Sequence, residues 1–156
     1  MSDIIAFYFH LIAACLYIGS AFFIGTVMIP GLRRSLEHGP RMAFLGAIAK
    51  PAKIFTWSSL VILIVTGLYR MRAFMGTELM RTGYGKILEK KVGLVLIALI
   101  LSIIHDFVLG PKMKALPPGD PRVKKLRTVT IVFAQIQLVL LLLIALQAVR
   151  MRFYSW

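Results

Sequence analysis

Long apolar runs separated by short polar stretches dominate the pattern of this chain. A helix needs about 20 mostly apolar residues to span a bilayer, and four runs meet that length, at roughly residues 4–29, 52–71, 91–109 and 129–151. Short connections favour antiparallel neighbours. The sequence therefore predicts an all-α integral membrane protein, a four-helix antiparallel bundle that forms one domain over residues 1–156, with no internal repeat.

Proline and glycine mark the expected helix ends. Pro30-Gly31 is expected to end the first helix and Gly110-Pro111 the third, because proline lacks a backbone N–H and crowds the preceding turn. Four crossings place both termini on one side of the membrane. We name the side with the termini and the second loop the terminal face, and the side with the first and third loops the loop face.

Composition and charge agree with a membrane location. The chain is 59% hydrophobic, against about 45–50% in soluble domains, and its mean hydropathy is +0.83. The net charge of +13 comes from Lys and Arg that flank the apolar runs, where they meet lipid headgroups; this argues against nucleic acid as a partner. The loop face carries eleven basic residues and the terminal face eight, which predicts that loops 1 and 3 face the cytoplasm.

Polar side chains inside the predicted helices are candidates for function, because they are costly in lipid. With a rise of about 1.5 Å per residue, two layers are expected. The first lies near the terminal face, and its candidate cofactor-binding residues are His10, Tyr17, Thr66, Lys91 and Gln147. The second lies near the loop face and comprises His105, Asp106 and Gln135. We expect Asp106 to pair with Lys112 or Arg33 rather than with His105, since adjacent side chains diverge on a helix.

Several interpretations of these residues stay open. His10 is either satisfied by a neighbouring carbonyl or hydroxyl or is a ligand of haem, porphyrin or metal, and Lys91 either reaches inward or extends to the interface. His10 and His105 differ by about 10 Å in expected depth, which argues against one haem held between them. Met71, Met75 and Met80 suit soft copper(I), although packing explains them equally well.

A family resemblance rests on short motifs. Thr82–Lys91 resembles the T-x-Y-G-x-x-L-x-x-K motif of the CopD family of copper-resistance membrane proteins. His10, Tyr17-Ile18-Gly19 and Pro30-Gly31-Leu32-Arg33 are similar to the first helix of that family, with Tyr17 in place of the usual tryptophan. This resemblance implies a role in copper transport or resistance.

The chain also resembles the HemJ family of membrane protoporphyrinogen oxidases. Pro51-Ala52, Thr56-Trp57 and Thr66-Gly67 are similar to its second helix. In that family a histidine of the first helix and a lysine of the third are the functional pair associated with b-type haem. The resemblance implies these roles for His10 and Lys91, with His10 the metal ligand, although the third helix lacks the G-W-L-x-x-K motif of HemJ.

We therefore expect a CopD/HemJ-like protein, in the bacterial inner membrane, that binds b-type haem or porphyrin and acts in membrane redox chemistry through His10 and Lys91. Whether it is an enzyme, as a haem-dependent oxidoreductase of the protoporphyrinogen oxidase type, is left open. The alternatives are a copper transport or resistance protein and a non-catalytic subunit of a membrane complex. Formation of a homo-oligomer is also left open.

Overall fold

Two long helical hairpins make up the computed structural model, which describes residues 2–72, 75–117 and 120–154, apart from the side chains of Leu79 and Lys114. The chain divides into two compact units between Met75 and Gly76. The first hairpin contains α1 (Ser2–Ser35) and α2 (His38–Arg72), and the second contains α3 (Gly83–Met113) and α4 (Pro121–Arg152). No strand occurs within the described ranges, so the all-α fold class is confirmed.

Each of these four helices is long and apolar enough to cross a membrane. They contain 31 to 35 residues, with a mean hydropathy of 1.6 to 2.6 over their most apolar windows. Their outer surfaces expose large apolar side chains, among them Ile4 (74% exposed), Val65 (60%) and Val139 (57%). Water would penalise so much apolar surface, whereas lipid does not. The chain is an integral membrane protein.

The prolines that were expected to end two helices do not end them. Helix α1 is α-helical to Phe22, π-helical over Phe23–Met28, and α-helical again over Ile29–Ser35. Helix α3 likewise contains a π-helical segment, Ile104–Leu109, before its last α-helical residues. A proline crowds the carbonyl group four residues before it, and for Pro30 and Pro111 that carbonyl lies inside the π-helical segment. The wider π-helical turn accommodates the ring, so each helix continues.

Helix α2 begins well before the predicted residue 52. It starts at His38 and contains Pro51, and it includes Arg41, Lys50 and Lys53, which the sequence had placed in the first loop. A helix of 35 residues is about 52 Å long, and a hydrocarbon layer is about 30 Å thick. The helices therefore continue beyond the apolar layer, and the turn between α1 and α2 is short. The single four-helix domain stays a prediction.

The first hairpin is held by contacts between α1 and α2 near its open end. The Arg70 guanidinium lies over the Phe7 ring, 4.4 Å from the ring centroid, and His10 meets Thr66 one turn further along α1. Ala13 and Tyr17, the next residues on that side of α1, are 2% and 5% exposed. The residue numbers rise along α1 as they fall along α2, so the two helices are antiparallel.

The second hairpin begins with a capped helix. Thr82 is the N-cap of α3, and its side chain accepts a hydrogen bond from the backbone N–H of Tyr84. Tyr84 meets Tyr154, from the residues after α4, edge to face with 6.3 Å between ring centroids. Asp120 caps α4 by accepting from the backbone N–H of Arg122. Hydrogen bonds from the Arg122 side chain and backbone lower the pKa of Asp120.

The two hairpins share one plan, a correspondence that the sequence analysis missed. In each, a six-residue π-helical segment precedes a proline, and the second segment is numbered 81 higher than the first, Phe23–Met28 against Ile104–Leu109. The same step separates Pro30 from Pro111. The second helices also end in the same tripeptide, Arg70-Met71-Arg72 in α2 and Arg150-Met151-Arg152 in α4. Each hairpin is thus one copy of a common structural unit.

Gly85 in α3 provides a test of the close packing at the start of the second hairpin. A Cβ atom at this position would collide with the carbonyl group of Met80, which is backbone and cannot rotate away. We expect Gly85→Ala to lower the free energy of unfolding by about 1–3 kcal/mol, as overpacking does. Thermal unfolding in detergent, followed by circular dichroism, measures the change.

Gly93 of the same helix is the matched control, because a Cβ atom there would meet nothing within 4 Å. Gly93→Ala should leave stability unchanged or raise it by about 0.5–1 kcal/mol, the usual gain from replacing glycine in a helix. Equal effects of the two substitutions would contradict the packing at Gly85.

Candidate functional site

The first hairpin holds a hydrogen bond between His10 of α1 and Thr66 of α2. Nδ1 of the imidazole lies 2.8 Å from Oγ1 of Thr66, and both residues are half-buried. The Thr66 hydroxyl also lies 2.5 Å from the carbonyl oxygen of Ile62, one turn earlier in α2. Three groups on two helices therefore form one hydrogen-bonded chain.

This chain sets the tautomer of His10. The Thr66 hydroxyl has a single proton, which it donates to the Ile62 carbonyl, so its oxygen can only accept from the imidazole. The proton of the 2.8 Å contact is therefore on Nδ1 of His10. In a neutral imidazole that arrangement puts the lone pair on Nε2, which can bind a metal. Metal-ligating histidines in proteins are oriented in the same way, by an acceptor at their other nitrogen.

Gly67 allows the imidazole to approach α2 closely. A Cβ atom on Gly67 would lie 3.3 Å from Cε1 of His10, which is closer than ordinary van der Waals contact. Any side chain at this position would displace the ring. Thr66 and Gly67 thus act together, since one bonds the ring and the other leaves room for it.

Tyr17 lies two turns beyond His10 along α1 and is 5% exposed. Its burial explains how a tyrosine occupies this stretch of a membrane helix, because most of the aromatic surface is covered by protein. The structure places Tyr17 on the same helix as His10, but the contact that His10 makes across the hairpin is to Thr66.

Lys91 and Gln147, the other two residues predicted for the first layer, belong to the second hairpin. The contacts Tyr84–Tyr154 and Ser102–Gln137 fix the register of that hairpin, and by interpolation Lys91 of α3 lies level with Gln147 of α4. Lys91 is half-buried, and Gln147 is 9% exposed. Oε1 of Gln147 is 3.4 Å from a guanidinium nitrogen of Arg150.

The common plan of the hairpins relates these residues to His10. The step of 81 residues that separates the π-helical segments maps His10 onto Lys91. The step of 80 that separates the terminal tripeptides maps Gly67 onto Gln147. The predicted functional pair thus occupies equivalent positions in two copies of one unit. That all of these residues form a single layer stays a prediction.

The expectation that His105 and Asp106 bond poorly is wrong. Nδ1 of His105 lies 2.8 Å from Oδ1 of Asp106, and the side chains are 39% and 24% exposed. Both residues belong to the π-helical segment Ile104–Leu109. A π-helical turn contains more residues than an α-helical turn, so neighbouring side chains diverge less around the axis. Pairing of Asp106 with Lys112 or Arg33 stays a prediction.

Gln137, rather than the predicted Gln135, connects the helices of the second hairpin. Its Nε2 donates to Oγ of Ser102 over 3.0 Å, and Ser102 donates to the carbonyl oxygen of Ala98. Gln135, by contrast, is exposed. The signal for Ser102 was present in the sequence, because it lies four residues before Asp106 and shares its helix face.

Across the residues that the structure describes, no group of three or more His, Cys, Asp or Glu side chains is placed to hold a metal ion. His10 is accompanied by a hydroxyl and a glycine, and the pair His105–Asp106 offers one imidazole and one carboxylate. The polar chemistry of each hairpin therefore consists of small groups of two or three side chains.

Comparison with known proteins gives a family for the chain. Residues 12–118 match the family described as Domain of unknown function (DUF4149). The chain belongs to the DUF4149 family. No curated protein and no solved structure matches the chain.

The DUF4149 match extends from the first helix to the end of the third. It includes five of the residues predicted for the two layers, Tyr17, Thr66, Lys91, His105 and Asp106. It begins two residues after His10 and ends before the fourth helix, which carries Gln135 and Gln147. The threonine that accepts from His10 is thus inside the matched region, whereas the histidine lies at its margin.

The tautomer of His10 can be tested directly. In protein labelled with ¹⁵N-histidine, we expect His10 to carry its proton on Nδ1, because Thr66 can only accept. Thr66→Val removes the acceptor and should shift both ring nitrogen resonances. Nitrogen chemical shifts measured by NMR distinguish a protonated ring nitrogen from a bare one.

Thr56→Val is the control, because the Thr56 hydroxyl also bonds a carbonyl of its own helix, that of Ala52. It should leave the His10 resonances in place. A wild-type His10 that is neutral and protonated on Nε2 would refute the assignment.

Proposed function

We propose that the first hairpin binds a b-type haem or a related porphyrin through His10, and that the protein acts in membrane redox chemistry. One observation carries the proposal, the hydrogen bond from Nδ1 of His10 to Thr66. Because Thr66 donates its own proton to Ile62, this bond presents the lone pair of Nε2 for coordination. The CopD/HemJ resemblance of the sequence points to the same histidine.

The side chains around His10 suit a haem. A porphyrin supplies four nitrogen ligands, so a single oriented imidazole is enough to fill an axial position. A haem bound there would supply one-electron redox chemistry. The half-buried position of His10 in an apolar hairpin keeps water away from the ring, and burial is one of the factors that set the potential of such a group.

Each residue near His10 has a defined part in the proposal. His10 is the ligand, and Thr66 holds the ring in one orientation and increases its basicity by accepting from Nδ1. Gly67 allows the ring to lie against α2. Lys91 and Gln147 enter from the resemblance and from their predicted depth, as groups that orient or pair with carboxylates of the porphyrin.

The optical spectrum of the protein tests the proposal. Protein purified in mild detergent from haem-replete cells should show a Soret band, and His10→Ala should abolish it, because the axial ligand is lost. His38→Ala is the matched control, since His38 is an exposed residue at the start of α2, and it should retain the band. Thr66→Val should retain haem with a shifted reduction potential.

A colourless wild-type protein from such cells would overturn the haem assignment. Elemental analysis of the same sample separates the alternatives, because stoichiometric copper without a Soret band would favour copper transport or resistance. Stable co-purification of another protein, without pigment or metal, would favour a non-catalytic subunit of a membrane complex. Oxidation of protoporphyrinogen by the wild type and not by His10→Ala would establish an oxidoreductase.

We also propose that loops 1 and 3 face the cytoplasm of a bacterial inner membrane, from the distribution of Lys and Arg. In a Cys15→Ser background, Ser2→Cys reports on the terminal face and Ser35→Cys on the loop face; both positions are exposed. A membrane-impermeant maleimide added to intact spheroplasts should label Ser2→Cys and spare Ser35→Cys until the cells are lysed. The reverse pattern would invert the topology.

A further inference from the structure

Each hairpin ends in two arginines, and we propose that these ends are two equivalent binding sites for the phosphate of an anionic phospholipid. The first arginine pair is Arg70 and Arg72, and the second is Arg150 and Arg152. Both pairs belong to the tripeptide that recurs at the end of α2 and α4. The proposal concerns a lipid, so it is independent of the porphyrin proposed for His10.

The first arginine pair is held at the membrane boundary by aromatic rings. The Arg70 guanidinium lies 4.4 Å from the centroid of Phe7, and the Arg72 guanidinium lies 4.0 Å from that of Tyr69. Such contacts hold a guanidinium through its face, which leaves the N–H groups at its edge for a phosphate. Arginine binds phosphate through two parallel hydrogen bonds of this kind.

The second arginine pair is held by a different contact in the equivalent place. A guanidinium nitrogen of Arg150 lies 3.4 Å from Oε1 of Gln147, which is 9% exposed. Arg150 and Arg152 are themselves exposed. The two hairpins thus retain the arginines while the residues that support them differ.

The four guanidinium charges have no carboxylate partner among residues 2–72, 75–117 and 120–154. The ion pairs in these ranges join Arg81 to Glu78, Arg122 to Asp120, and His105 to Asp106. The carbonyl end of a helix supplies only about half a negative charge, whereas each pair carries two positive charges. An external anion is therefore needed to balance each pair.

A phospholipid suits the position better than a soluble anion. Exposed apolar side chains lie within one turn of each pair, Leu68 in α2 (57% exposed) and Val149 in α4 (53% exposed). Each site therefore combines guanidinium groups for a phosphate with apolar surface for acyl chains. Basic residues near a membrane surface attract anionic lipids by about 1 kcal/mol each, which corresponds to about fivefold in affinity per residue.

Native mass spectrometry of the full chain, released from nanodiscs of phosphatidylglycerol and phosphatidylcholine, tests the proposal. The wild type should retain two phosphatidylglycerol molecules. The double variants Arg70→Gln/Arg72→Gln and Arg150→Gln/Arg152→Gln should each retain one, and the quadruple variant none. Affinity should fall about tenfold or more at each altered site, from the loss of two basic residues.

A second quadruple variant is matched for charge. Arg33→Gln, Arg34→Gln, Lys124→Gln and Lys125→Gln remove four exposed charges from the loop face, and this variant should retain two lipids. Equal loss in both quadruple variants, or no loss in either, would overturn the proposal. Arg→Lys at the four positions preserves charge; intermediate retention supports paired hydrogen bonds from arginine. Displacement of the lipid by sodium phosphate, but not by sodium chloride of equal ionic strength, would overturn the assignment to a lipid.

Discussion

A hydrocarbon layer provides no hydrogen-bond partner for backbone N–H and C=O groups, so every segment that crosses it must satisfy these groups internally. This constraint explains why the four apolar runs form helices and why those helices continue through their prolines. Pro30 and Pro111 would each crowd a carbonyl group in the preceding turn. The six-residue π-helical segments Phe23–Met28 and Ile104–Leu109 provide the wider turn, so the backbone stays hydrogen-bonded where an interrupted helix would expose it.

The same constraint determines the polar contacts between helices. A hydroxyl group in an apolar helix donates to a carbonyl of the preceding turn, as Thr66 does to Ile62 and Ser102 to Ala98. Having donated, the oxygen can only accept, and each hairpin provides it with a donor from the facing helix. His10 is that donor in the first hairpin and Gln137 in the second. The orientation of His10, on which the proposed haem ligation depends, is therefore a consequence of backbone chemistry in lipid.

The common plan of the hairpins gives the sequence a second meaning. Few residues are identical between the two halves, but the π-helical segments, the prolines and the terminal Arg-Met-Arg tripeptides recur at nearly constant spacing. Backbone requirements and the membrane boundary preserve these features, while the side chains between them diverge. His10 and Lys91 occupy equivalent positions with different chemistry, which is consistent with a duplicated unit whose copies took different parts in one function.

The sequence by itself determined the number of spanning helices, their approximate positions and the basic residues that flank them, because apolar length and charge follow directly from composition. It also selected His10 and Thr66 as residues of similar depth, since depth depends only on the rise along a helix. The tertiary structure decided which side chains meet. Direction around the helix axis and local π-helical turns, which residue type does not fix, put Thr66 at Nδ1 of His10, paired His105 with Asp106, and selected Gln137 over Gln135.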